Sequence, residues 1–383
     1  MLINTIFFLA AIHGVILSLV LATKKINKYS NRLLSLLMLV FTIDLAMASY
    51  IGYGLKSVYP HALGIDYPIT LLYAPLSYLY VVSIIKRKTN FELKDGLHFI
   101  PFLSLFLYLL PFYLSSGEEK LALTNASGAL TYGFSFISNA KLAFNLVYFP
   151  FIIREVQLYR KKLKEQYSSI EKHNLNWLLV FTCCLVGMVF FVIGVQFVEY
   201  FFDVASNFWV FNLIGVAIFV YSIGYLGLIQ PEFFADFDKH QSIKTEGVQQ
   251  KEESYTKSGL EEEVGKELSN RLVRLMEDQK PFTNSELSLR NLADMLEISP
   301  HNLTEVINKY SNKNFYDFVN AYRVEEVKAR IRNQENNNYT LLAIGLESGF
   351  NSKSSFNSVF KKHTGQTPSQ YKKSLQPEKE KLL

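Results

Sequence analysis

Lys353, Ser354, Asn357 and Lys361 recur at intervals of one, three and four, which puts them on one face of a helix. Phe356, Val359 and Phe360 take the opposite face. Between Ser352 and Lys373 there are five lysines and no carboxylate. A short helix with one apolar face and one face bearing ammonium, hydroxyl and amide groups is what a DNA major groove accepts. Ser352, Ser355, Ser358 and Lys362 complete this candidate DNA-reading set. A second set lies upstream. His301, Thr304, Glu305 and Asn308, with Asn302 and Lys309 beside them, face away from Leu303, Val306, Ile307 and Tyr310. Both sets suit recognition by hydrogen bonds and charge and not bond-making. No H-E-x-x-H, G-x-S-x-G, P-loop or kinase glycine-rich pattern occurs, so we expect no catalytic residues, no cofactor and no enzyme activity. Two adjacent cysteines, Cys183 and Cys184, are too few for a metal site and are expected as packing residues of an apolar run.

The elements around these sets fall into unlike halves. Of the 383 residues 49% are hydrophobic, high for a chain with a charged tail. Up to Gln230 there are 17 Lys/Arg against 11 Asp/Glu, and after Ser258 there are 18 against 17. Seven apolar stretches of spanning length precede residue 230, at about 2–22, 33–55, 67–85, 97–114, 130–153, 177–198 and 208–229. The odd-numbered loops between them hold fourteen basic residues and the even-numbered loops two, Lys56 and Lys120. By the positive-inside rule the amino terminus is outside and the chain emerges in the cytoplasm after seven crossings. Ionisable groups inside spans are functional suspects. Asp44 in the second span and Lys141 in the fifth are therefore read as an intramembrane sensor pair, or as a structural contact between helices.

Residues 230–258 are polar, mixed in charge and without apolar periodicity, a tether between the halves. A helix follows with Val264, Leu268, Leu272 and Leu275 as its apolar stripe, a candidate for dimerisation. Ser288 and Ser299 then offer N-caps to two helices of a first helix-turn-helix. Leu341–Tyr371 forms a second, with its turn at Gly349. Between them Phe315–Arg332 makes a rod of roughly 27 Å, near the separation of successive major grooves.

These motifs resemble the DNA-binding domain of AraC/XylS-type regulators across residues 285–373. The first unit supplies Leu292-Ala293 with Leu296, Ser299, Leu303, Asn314-Phe315, Phe318 and Tyr322-Arg323. The second supplies Ile344-Gly345, Gly349-Phe350, Ser352, Phe356, Phe360-Lys361-Lys362, Gly365, Thr367-Pro368 and Tyr371. The layout of seven spans followed by this domain resembles membrane-anchored AraC-type regulators of Bacteroidetes-like bacteria. Two departures stand out: Glu297 occupies a turn position usually held by glycine, and Gly345 a position usually held by alanine. The first unit carries Asp294, Glu297 and Glu305 against Arg290 and Lys309, so the second unit is expected to supply most affinity and the first to discriminate.

The expected fold is all-α: a seven-helix transmembrane bundle (1–229), a polar linker (230–258) and a cytoplasmic AraC-type domain (259–383) with two helix-turn-helix units joined by a linker helix. The expected function is membrane-bound, sequence-specific transcription regulation. The expected partners are promoter DNA, the lipid bilayer, a second copy of the chain and an unidentified signal ligand, at the inner membrane of a bacterium. The competing reading is a membrane transporter or receptor whose helical tail binds a protein.

Overall fold

Leu2–Thr23 (α1) and Lys28–Gly52 (α2) lie against each other as a hairpin, with Asn4 bonded to the Gly52 carbonyl at one end and Ser18 to Ser35 further along. Ser18 and Ser35 exchange hydroxyl-to-carbonyl bonds of 2.9 and 2.8 Å, and Gly14 lets α1 approach Thr42 of α2 closely. Small and hydroxyl-bearing residues at a helix contact are how apolar helices associate where burial gives no extra drive. The chain then passes through short turns into Tyr73–Ile85 (α3), Ile100–Tyr108 (α4), Leu110–Leu114 (α5) and Gly117–Asn125 (α6). A long helix, Ala129–Gln166 (α7), precedes Asn176–Phe202 (α8) and Trp209–Ile229 (α9). Glu262–Asp278 (α10), Leu289–Leu296 (α11), Pro300–Ser311 (α12), Phe315–Arg332 (α13), Leu341–Glu347 (α14), Lys353–Thr364 (α15) and Pro368–Ser374 (α16) complete the order.

This computed structural model describes residues 2–25, 27–125, 129–170, 176–202, 209–229, 262–333 and 338–375. The expected tether at 230–258 lies outside them. No strand occurs among the described residues, and the fold is all-α as expected. The chain divides into two compact units, one of residues 1–157 and 175–241, the other of residues 158–174 and 242–383. The cut runs through α7, whose residues from Leu158 onward belong to the second unit.

Among the described residues, not all of the seven expected spans are found. Four helices among the described residues are long and apolar enough to cross a membrane: Leu2–Thr23, Lys28–Gly52, Pro60–Ile85 and Val180–Val198. α9, 21 residues long, carries the further apolar stretch Val210–Ser222. The fourth expected stretch, 97–114, is split into α4 and α5, with Pro101 and Pro111 at their first turns. Proline removes an amide donor and disfavours helix at the residue before it, so an apolar run becomes two short pieces. At about 1.5 Å per residue neither reaches the roughly 30 Å of a bilayer core. The fifth stretch lies in α7, whose apolar residues are interrupted by Lys141 and Asn145. Cys183 and Cys184 are free and exposed on α8, within the candidate span Val180–Val198.

The second unit has two apolar cores. Leu268, Leu272 and Met276 of α10 join Leu292, Leu296, Leu303, Ile307, Phe315 and Val319 in the first. Val324 and Val327 of α13 join Ile344, Phe350, Phe356 and Phe360 in the second. The stripe on α10 offered for dimerisation is thus used inside the unit, against α12, and Val264 at its edge is left exposed. Gly345 explains itself here: a Cβ would lie 2.8 Å from the Phe356 ring, so the smaller residue lets α14 sit on α15.

Candidate nucleic-acid interface

Each of the helices α11 to α16 starts on a side chain that accepts from one of its free amides. Ser288 accepts from the Asn291 amide, Ser299 from Asn302, Asn314 from Asp317, Thr340 from Ala343, Ser352 from Ser355 and Thr367 from Gln370. The turns between reading helices need left-handed backbone. Gly349 has φ +96 and Glu297 has φ 58. A Cβ at Gly349 would meet the Phe282 carbonyl and Arg323, so that position is closed to any other residue. Glu297 is exposed and adopts the same region at a steric cost of about 1 kcal/mol. Glu297→Gly is expected to stabilise the unit by about 0.5 kcal/mol, because relief of strain exceeds the added freedom of the unfolded chain. A chemical denaturation midpoint that moves down instead would contradict this.

The two candidate reading sets sit on α12 and α15. On α12, His301, Asn308 and Lys309 are exposed and Asn302, Thr304 and Glu305 half-buried. The Thr304 hydroxyl donates to the Pro300 carbonyl at 2.9 Å, so its donor is used within the helix. On α15, Lys353, Ser354, Ser358 and Lys361 are exposed, Ser355 and Asn357 half-buried, while Phe356, Val359 and Phe360 are buried behind them. Ser352 serves as the cap of this helix. Lys362 turns away from that set, its ammonium 2.6 Å from Asp317 on the first turn of α13.

Burial alone would raise the Asp317 carboxyl, but the hydrogen bond and charge of Lys362, with the Asn314 amide, hold it below its ordinary value. A carboxylate with a depressed folded-state pKa contributes stability above its unfolded value, about 3.9, and loses it as pH falls through the folded one. His363, next in the chain, is also lowered, first by burial and then by Lys362. Its protonation therefore disfavours the folded state as pH falls below about 6.5. Acidification is expected to weaken the second unit in two steps, with Lys362→Met removing the lower one; a melting series across pH 3–8 checks it. Glu326 is held low in the same manner: burial opposes ionisation, and Lys280 at 2.9 Å and Arg330 at 2.9 Å outweigh it.

The most connected side chain in this unit was not singled out as functional by its type or spacing. Arg323 on α13 is 1% exposed. Its Nε donates to the Phe282 carbonyl at 2.7 Å and its two terminal nitrogens to the Asn284 carbonyl at 2.8 Å and the Ser168 carbonyl and hydroxyl, both at 2.9 Å. Asn320, also buried, donates to the same Ser168 carbonyl. Ser168 in turn bonds the Leu287 carbonyl through its amide and hydroxyl, and Tyr167 bridges Ser288 at the first reading unit. Lys164 lies over the Tyr316 ring. The tail of α7 is thereby built in where α13 meets the segment leading to α11. A single arginine in the otherwise apolar stripe Val319, Val324, Val327 was the available signal; nothing in Ser168 or its neighbours pointed to a partner.

The sensor pair is not joined by an ion pair. Lys141 donates to the Tyr67 carbonyl at 3.0 Å and lies 3.4 Å from the centre of the Tyr67 ring. The Asp44 Oδ1 is buried with no hydrogen-bond partner. Both residues line one cavity of about 250 Å³ in the first unit.

No curated protein matches the chain. A solved structure of a protein of unknown function from Listeria innocua is 30% identical, covering 28% of this chain and 97% of that one, with a TM-score of 0.25. The C-terminal domain of AraT, a response regulator from Geobacillus stearothermophilus, is 24% identical over 28% of this chain and 84% of that one, with a TM-score of 0.25. Residues 292–374 match the family described as "Helix-turn-helix domain". The carboxy-terminal part of the chain is an AraC-type helix-turn-helix domain.

Proposed function

We propose that the chain is a membrane-anchored, sequence-specific DNA-binding transcription regulator. The observation that carries this is the pair of reading helices α12 and α15 held on one continuous helix, α13, with the exposed lysines, hydroxyls and amides of α15 turned out from an apolar core. Four apolar helices of spanning length support anchoring in a membrane. The most basic loop of the sequence, Arg154–Lys172, contains the segment built into the reading unit, which supports a cytoplasmic, DNA-facing location for that unit. The first unit is the sensor in this reading. Its state reaches the DNA-binding unit through α7 and Ser168, a route independent of the residues at 230–261. No covalent chemistry is involved.

The test is selection from a random duplex library by the full chain in detergent. Enrichment of a motif with two elements about one helical turn apart is expected. Capture of DNA without any enriched sequence would leave a nonspecific binder and end the reading.

A further inference from the structure

The cavity bordered by Asp44 and Lys141 is unevenly furnished. Its walls are mostly apolar, with Phe41, Leu185, Met188 and Val216 among them. Three polar residues of the lining have buried atoms without hydrogen-bond partners: Asp44 Oδ1, the Tyr73 hydroxyl and Asn212 Oδ1. Of the other polar residues, Thr70 donates to the Tyr67 carbonyl, Gln196 completes the lining, and Asn145 and Lys141 are bonded within the wall. Asn145 accepts from the Ala74 amide and donates to the Thr70 and Lys141 carbonyls, and Lys141 is held by Tyr67. The unmet groups are thus two oxygen acceptors and a phenol that both gives and takes, on a wall whose one cation, Lys141, donates to the Tyr67 carbonyl. Buried polar atoms are normally paired, and a carboxylate oxygen in an apolar bundle is among the most costly to leave open. Several such atoms bordering one cavity mark a place where a ligand completes the bonding. The Tyr73 ring is fixed in a stack on Phe41 at 4.4 Å, so its hydroxyl is held in place in advance.

We propose that this cavity binds a small amphipathic primary amine, its ammonium donating to Asp44 and Asn212 and its apolar body resting against Phe41 and Met188. An ammonium supplies three donors and no acceptor, which is the complement of what the wall leaves unmet. A cavity of about 150 Å³ is enough for a benzene ring. The 250 Å³ present here holds an aryl or short alkyl body with an aminoethyl arm. A carboxylate ligand of the same size would set its charge against Asp44, and an alcohol would offer one donor where the site has room for three. The signalling consequence of occupancy rests on the regulator reading above; binding itself does not.

The experiment uses the full chain in lipid nanodiscs and equilibrium binding of 2-phenylethylamine, with 3-phenylpropionate and 2-phenylethanol as controls. Saturable binding of the amine is expected, with the alcohol weaker by about tenfold and the carboxylate not bound, as befits loss of a charge-assisted hydrogen bond. Asp44→Asn keeps shape and is expected to lower amine affinity by at least about tenfold. Val216→Phe, which fills the cavity and leaves every polar group in place, is expected to abolish binding. No saturation by the amine, equal binding of the alcohol, or unchanged affinity in Asp44→Asn or Val216→Phe overturns the proposal. The same preparation is assayed for duplex binding. Sequence-specific duplex binding without amine binding ends this proposal and leaves the regulator reading standing; amine binding without it does the reverse.

Discussion

Arg323→Met is expected to unfold the second unit at temperatures where the wild-type unit is intact. The substitution keeps the length of the stem and removes the guanidinium, leaving the Phe282 and Asn284 carbonyls and part of the Ser168 bonding without donors. Each buried acceptor left without its donor costs about 1–3 kcal/mol, and together they are a large share of the roughly 5–15 kcal/mol that holds a domain together. Arg323→Lys is expected to rescue little, because an ammonium cannot fork toward carbonyls on both Phe282 and Asn284 while reaching Ser168. The same logic applies to chain cuts. A fragment beginning after residue 241 lacks Ser168, so it should melt lower than the same unit in the whole chain. A synthetic peptide of residues 158–174 added in trans should raise its melting temperature. Equal melting with and without the peptide, or a stable Arg323→Met unit, would show that the docked segment is incidental.

The second large effect concerns DNA. Lys353→Ala with Lys361→Ala is expected to weaken duplex binding by roughly fivefold per lysine at 0.15 M salt and to reduce the salt dependence by about one unit of slope for each. Both side chains are exposed on α15 with no apolar work to do. Lys362→Ala is expected to matter less, since that ammonium is engaged with Asp317 at 2.6 Å. Arg290→Ala, on the acidic first unit, should leave binding nearly unchanged. Binding isotherms at several salt concentrations separate these outcomes. A double variant with the wild-type salt slope would remove α15 from the interface.

Much of the second unit was legible because its determinants are local. Helical spacing of Phe356, Val359 and Phe360 and caps at Ser288 and Ser299 act within one or two turns, and the helices α11 and α12 begin where those caps say, whereas Ser352, read as a DNA-contacting residue, is the cap of α15. Gly345 and Glu297 were visible as departures, and only the packed structure gives their reasons. The membrane half was harder to read. Averaged hydropathy does not register that Pro101 and Pro111 break one apolar run in two. Asp44 and Lys141 share a wall, as their positions in the second and fifth stretches allowed, yet Lys141 chose the Tyr67 carbonyl, which no side-chain pattern encodes. The contact of Arg323 with Ser168 spans 155 residues, and both residue types are common, so neither marks the other.

The tail of α7 also bears on how the protein can be taken apart. The second unit is made from two separate stretches of chain, 158–174 and the carboxy-terminal region, so it is not a contiguous cassette. A single cleavage anywhere between residues 230 and 261 severs one connection and leaves the other in place, with Arg323 gripping Ser168. Such a nick would not release a free DNA-binding fragment under native conditions; the cut pieces should co-purify until denaturant is added. For the same reason, grafting residues 262–375 onto another membrane anchor carries over the reading helices and leaves behind Ser168, the partner of buried Arg323 and Asn320.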